Sequence, residues 1–415
     1  MYEYLIRNVS VYGEDKRVLL GQDVAVQDGR IAKVSSGITE DARCVIDGQA
    51  RLLSPSFVDT HMHIDEAFTM DDDGTLSIIS ACNDQDKCNL KYFDHTREQL
   101  VAMIVRNAGR VVDMCARNGT MLLKTNALLL PAWGTAALEA MKILKREKSR
   151  LCEIRVNSTF PPALENEIRA YVRDGTVDGV AGYPYMDETY WKTMDRLFSL
   201  SKELDLPIDL HIGESDVPDI DCFLYFMKKV RDYHYEGKAC CGHLTALSAH
   251  GMDKEKAEAA IRMAGECRLH VASMTSCNLY LMSMNRRGPT CIRELAEVGC
   301  NVSLGSDNIR DTFRPWGNCN LLEEALLTAK VQHYCSNDEL RQIYHMITFN
   351  AAKNAAIRDY GILPGNRANM VLLDAQTPEE AIIETAAKAY VWKDGRLIAR
   401  NGALLPEETR SYTNG

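Results

Sequence analysis

Between residues 56 and 307 the chain repeats one pattern: a short, continuously apolar run followed by a stretch with apolar residues at helical spacing. The runs fall at 56–63, 119–128, 152–160, 178–183, 206–211, 238–245, 268–274 and 301–307. Helical stretches between and beyond them include 97–117, 187–204, 254–264 and 321–331. Strands covered on both faces read as continuously apolar rather than alternating, as in a parallel sheet. Eight strand–helix alternations predict an α/β fold, a (β/α)8 TIM barrel.

The two ends follow a different rule. Segments 4–11, 24–26 and 30–34 read as short strands separated by turns such as Asp28-Gly29. Segment 368–374 reads as a strand, and 389–400 reads as a hairpin around Trp392-Lys393-Asp394-Gly395-Arg396. These ends predict a small β-sandwich domain formed by both termini, residues 1–54 with 364–415, around a barrel at 55–363.

Composition narrows the classes. Hydrophobic residues are 46% and charged residues 26% of the 415, ordinary for a globular protein. A net charge of -10 leaves no basic footprint for nucleic acid. No run of about 18 apolar residues suggests a membrane span. The polar opening, Tyr2–Gly21, does not read as a secretory signal, so the expected compartment is the cytoplasm. The 14 cysteines are irregularly spaced and suit small buried hydrophobes, Cys240-Cys241 included.

Chemistry in such a barrel sits at the C-terminal strand ends. The first strand ends in Asp59-Thr60-His61-Met62-His63, and strand alternation points His61 and His63 the same way. The fifth ends in His211-Ile212-Gly213-Glu214, the sixth in Gly242-His243, and the eighth in Gly305-Ser306-Asp307-Asn308. Four of the ten histidines therefore fall at predicted strand ends. Three imidazoles and a carboxylate (His61, His63, His211 and Asp307) suit one zinc or iron ion that holds water at an open position. Glu214 is placed to move protons. His243 is placed to polarise a substrate or hold the attacking oxygen. Singly, each motif also fits a packed core histidine or a helix-capping acid; it is their recurrence at strand ends that points to a site.

At these residues the sequence resembles the amidohydrolase superfamily, in particular its bacterial cytosine deaminase branch. Phe57–Asp65, His211–Glu214, Gly242–Ala246, Arg286-Arg287-Gly288, Gly305-Ser306-Asp307, Phe313–Gly317, Pro364-Gly365 and Ala368–Val371 carry the resemblance in order. It implies one metal on His61, His63, His211 and Asp307. It also implies Glu214 as proton shuttle, His243 orienting the attacking hydroxide and Asp307 accepting its proton. A bridging lysine of some relatives is expected on the fourth strand, which ends in Tyr183-Pro184-Tyr185. Lys124 lies on the second strand and reads as a substrate-side or packing group.

The substrate positions depart from the family. Pro162 stands where a pyrimidine-reading glutamine is expected, and proline offers no donor. Asn308 stands where the second acid of a pair is expected. Trp316 suits stacking on a flat ring, and loop packing accounts for it equally well. Asn126 and Asn157 are further candidate substrate contacts. The reading is a metal-dependent deaminase of a small cyclic amidine or guanidine, such as cytosine, isocytosine or creatinine, releasing ammonia. Its rivals are a triazine- or hydantoin-type hydrolase cleaving a substituted amine or ring amide, and a non-catalytic binding protein on the same barrel. The expected partners are a small heterocycle and further copies of the chain, with neither nucleic acid nor membrane.

Overall fold

A computed structural model describes residues 1–70, 95–130, 132–281 and 287–407. Two sheets organise it. The first combines β1 (Tyr2–Tyr12), β2 (Val18–Gln27), β3 (Arg30–Ser35), β4 (Ala42–Asp47) and β5 (Leu52–Pro55) from the N-terminal side. The C-terminal side adds β14 (Met370–Leu373), β15 (Lys388–Lys393), β16 (Arg396–Arg400) and β17 (Ala403–Leu404). The β5–β14 pairing joins the two halves, with Leu53 opposite Leu372. Trp392 and Tyr4 are fully buried in its core, ring edge to face at 6.3 Å. Burying a large side chain of this kind contributes roughly 1.5–3 kcal/mol.

The three strands read at the N-terminal end extend further in the structure than the sequence signal. The sequence signal covered only the interior-facing end of β2, because Leu19 and Leu20 at its outer end are exposed. β4 and β5 were not read as strands. β4 buries only alternate residues over six positions, too short a run to stand out from turn residues.

The second sheet has eight parallel strands: β6 (Phe57–Met62), β7 (Thr120–Ala127), β8 (Glu153–Ser158), β9 (Gly179–Gly182), β10 (Ile208–Ile212), β11 (Cys240–His243), β12 (His270–Ser273) and β13 (Asn301–Leu304). Each coincides with a predicted apolar run, so the (β/α)8 barrel expectation holds. β6 meets the segment just after β13 across a parallel bridge between Met62 and Asp307. Backbone bonds Asp307 N to His61 O (2.8 Å) and His63 N to Asp307 O (3.4 Å) close that seam.

The helix Arg97–Arg117 shows why sequence signals marked boundaries well here. Thr96 and Gln99 form a reciprocal capping box, and Leu100, Ile104, Ala108, Val111 and Cys115 form the buried stripe. Gly119, with φ +86°, turns the chain between the cap at Asn118 and the next strand. Among the described residues no helix is long and apolar enough to cross a membrane. The eleven described cysteines other than Cys44 are free thiols.

Candidate metal centre and proton-transfer site

The C-terminal strand ends converge on one buried cluster. His61 Nε2 and His63 Nε2 lie 3.0 Å and 3.1 Å from His211 Nε2. Asp307 Oδ1 lies 3.4 Å from His63 Nε2 and 3.9 Å from His61 Nε2. All four residues are buried. Burial, then the neighbouring imidazoles, holds His61 and His211 well below the usual histidine range, so both are neutral near pH 7. Three imidazole nitrogens facing one another at this separation form a donor set that can take a cation between them. Neither Asp307 oxygen accepts a regular hydrogen bond, which is costly for a buried carboxylate. The donor set therefore fits a divalent ion.

Local structure fixes this geometry. His63 Nδ1 donates to the Asn126 carbonyl at 3.2 Å, which turns Nε2 toward the cluster. Gly305 packs against His61 so tightly that a Cβ there would lie 2.8 Å from the His61 Cβ and carbonyl oxygen. Gly242 faces the same ring, with 3.0 Å to Cε1. His243 and Asp307 both adopt left-handed backbone, φ +71° and +59°, which residues with a Cβ adopt only where the surroundings impose it.

Glu214 sits beside the cluster. Its Oε2 accepts from Tyr185 OH at 2.8 Å and lies 3.5 Å from His243 Nε2, while Oε1 accepts from Arg287 at 3.3 Å. Burial pushes this carboxyl up, but His243, Arg287 and the Tyr185 bond outweigh burial and hold it below the usual range. It is a partly buried carboxylate with donors on both oxygens. Burial, then the Glu214 charge, pushes the Tyr185 phenol well up, so it stays a donor. Tyr183, from the same end of β9, lays its ring 4.2 Å from that of His211. Where the resemblance places a bridging lysine, the fourth strand supplies two phenols.

The remaining candidates spread out. Asn126 and Asn157 are bonded to each other at 2.9 Å, with the Asn126 amide against the His61 ring. Asn157 also reaches Asp209 at 3.4 Å. Asn308 donates to Asp311 at 2.6 Å and is buried. Trp316 is 73% exposed, edge-on to Tyr280. Lys124 pairs with Asp209 at 2.6 Å and Asn354 at 2.8 Å, lining a cavity of about 1190 Å³ at the opposite end of the barrel. It is a packing and ion-pair group, and its substrate-side reading does not hold. Arg286 lies outside the described residues.

Sequence reasoning gave no role to Tyr183, Tyr185, Arg287 or Asn278. The two tyrosines stand at a strand end, the same signal that marks the histidines, at the position where the resemblance places a lysine. Arg287 and Asn278 reach the site from segments that no periodicity marks.

A barrel whose strand ends gather three imidazoles, a carboxylate and a separate ionised glutamate is the framework of a metal-assisted hydrolase. The chain belongs to the Amidohydrolase family, whose model matches residues 92–399. It is 28% identical over 417 aligned residues to N-isopropylammelide isopropyl amidohydrolase of a Pseudomonas species, covering 97% of this chain and 99% of the relative. It is 22% identical to a pterin deaminase of Rhizobium rhizogenes, covering 95% and 91%. Its fold superposes on 5-methylcytosine deaminase of Klebsiella pneumoniae, solved with 5-fluorocytosine, with a TM-score of 0.84 at 22% identity, covering 95% and 97%.

Proposed function

We propose that this chain hydrolytically deaminates a small nitrogen heterocycle of the cyclic amidine or guanidine kind, with one zinc or iron ion on His61, His63, His211 and Asp307. The observation that carries the reading is Glu214: a partly buried carboxylate 3.5 Å from His243 and at the edge of the histidine cluster, held there by Tyr185 and Arg287. When bound, the ion supplies Lewis acidity that makes water nucleophilic near neutral pH.

The chain's own residues supply the rest. His243 Nε2 orients the attacking water. Glu214 takes a proton from that water and delivers it to the exocyclic nitrogen, in the manner of a non-ligand glutamate in zinc deaminases. The carbon–nitrogen bond breaks, ammonia leaves, and the remaining hydroxyl proton passes to the ring nitrogen as the ring carbon becomes a carbonyl. Tyr185 and Arg287 keep the shuttle ionised and aimed between turnovers. Deaminase names among the relatives support this reaction class.

A second reading, release of a substituted amine, draws on the relative named an isopropyl amidohydrolase, aligned over nearly the whole chain. One experiment separates the two: product analysis with metal-reconstituted protein on cytosine, isocytosine, 5-methylcytosine, creatinine, aminotriazines and their N-alkyl forms. Ammonia that disappears on chelation supports the deaminase. Alkylamine without ammonia supports the second reading. Silence across the panel with the ion bound overturns both.

A further inference from the structure

We propose that Arg110, Arg117 and Arg310 form, around Phe68, a second binding site, separate from the metal centre, for a small oxyanion of two or more negative charges, of the phosphate or dicarboxylate kind.

The site is a surface cavity of about 470 Å³, within the range of small-molecule sites. The helix Arg97–Arg117 supplies Arg110, Asp113 and Arg117, whose spacing sets them on one face. The loop after β6 supplies Phe68, the loop after β13 supplies Arg310, and the turn between β16 and β17 closes the rim at Gly402. Among the described lining residues Asp113 alone is acidic, and Lys148 Nζ, from outside the cavity, already holds its Oδ1 at 2.7 Å. No carboxylate among the described residues pairs with Arg110, Arg117 or Arg310. The same helix does pair Arg97, with Glu139 at 3.0 Å. Arg310 Nε donates to the Gly317 carbonyl at 3.2 Å, which aims the guanidinium and leaves both Nη groups for a ligand. In a chain of net charge -10, three guanidiniums thus converge on one cavity without a counter-charge.

Phe68 organises them. The Arg110 guanidinium carbon lies 3.8 Å from its ring centroid, and that of Arg310 lies 5.3 Å away. The ring attracts each cation, but two like charges held against one ring repel each other. An oxyanion between them removes that repulsion and accepts paired N–H bonds from both planar forks. Phe68 also has φ +58°, a left-handed backbone that an aromatic residue keeps only where its surroundings impose it. Its N–H donates to the Ile309 carbonyl at 3.1 Å, so the loop that bears the ring is fixed to the loop that bears Arg310. The Phe68 loop follows His63 and the Arg310 loop follows Asp307, so a bound oxyanion ties together two loops that begin at candidate ligands.

The test titrates the full, metal-reconstituted chain with phosphate, sulfate and succinate by calorimetry, at constant ionic strength against chloride. Wild type should bind at least one of them saturably, one per chain. R110Q/R310Q should lower that affinity at least about 100-fold and R117Q about 10-fold. R106Q, at an exposed arginine of the same helix outside the cavity, should leave it unchanged. Thermal scans give a second readout. In chloride alone R110Q/R310Q should melt at or above the wild-type temperature, because it removes unbalanced like charges. With the oxyanion at ten times its Kd, wild type should gain about 1–3 °C and the variant nothing. Preference for phosphate and sulfate supports a phosphate-bearing ligand, and preference for succinate supports a dicarboxylate. A wild-type response no different from that to chloride overturns the proposal. So does equal affinity in R110Q/R310Q, the result expected of binding at the metal centre. A double variant that melts lower in chloride and still binds leaves the arginines a packing role only, and overturns it too.

Discussion

Asp307 donates its backbone N–H to the carbonyl of His61 at 2.8 Å, so the seam that closes the barrel is also the place where two candidate ligands meet. Its side chain then turns to within 3.4 Å of His63. Closing the sheet and assembling the donor set are one event. Stability and ion binding should accordingly rise and fall together.

Removing a donor tests that link. His61→Ala should weaken ion affinity by at least about 100-fold, because it deletes a ligand rather than a supporting contact. The wild-type melting temperature should rise on ion addition, since an ion at 1,000 times its Kd adds about 4 kcal/mol of stability. The variant should not respond. Ion content by elemental analysis and paired thermal scans decide it, and an ion-bound H61A would remove His61 from the set.

Glu214→Gln keeps the shape of the shuttle but not its basicity. It should bind the ion as wild type does and lose about 10²–10⁴ in kcat. An unchanged rate would exclude Glu214 from proton transfer.

Tyr185→Phe removes one phenol oxygen from the hydrogen bond to Glu214. A hydrogen bond to a charged group contributes about 1.5–3 kcal/mol, so kcat should fall roughly 10- to 100-fold with ion content unchanged. A change confined to KM would assign Tyr185 to substrate binding instead.

Gly305→Ala places a Cβ 2.8 Å from His61. Relief requires moving the seam backbone, at a cost of about 1–3 kcal/mol from overpacking. The expected outcome is a lower melting temperature together with weaker ion binding; a fall in stability alone would show that seam and site are separable.

Lys388 gives a pH dependence away from the site. It bonds Asn320 at 2.7 Å, and burial lowers its pKa from 10.5 to about 8. Below pH 8 both folded and unfolded chains hold the proton, and the folded chain carries the full burial penalty. Between about 8 and 10.5 only the unfolded chain holds it, so stability rises with pH, by up to about 3 kcal/mol. Lys388→Met should flatten that rise. Denaturation midpoints at pH 7.5 and 10.5 for both proteins check the sign.

The sequence by itself determined the architecture and pointed to the candidate donors. A parallel barrel strand is apolar along its whole length, so the eight runs stood out, and polar residues at their ends were conspicuous by contrast. His61 and His63 needed only the two-residue alternation of a strand to be placed together. Tertiary structure alone decided what surrounds them. Tyr185, Arg287 and Asn278 reach Glu214 and His243 from segments 29, 73 and 35 positions away, and no local period records such contacts. Lys124 shows the converse. Its strand was legible, but its height in the barrel, beside Asp209 at the far end, was not. Periodicity reports which face a side chain takes; only the closed barrel sets the layer it occupies and the groups that meet it there.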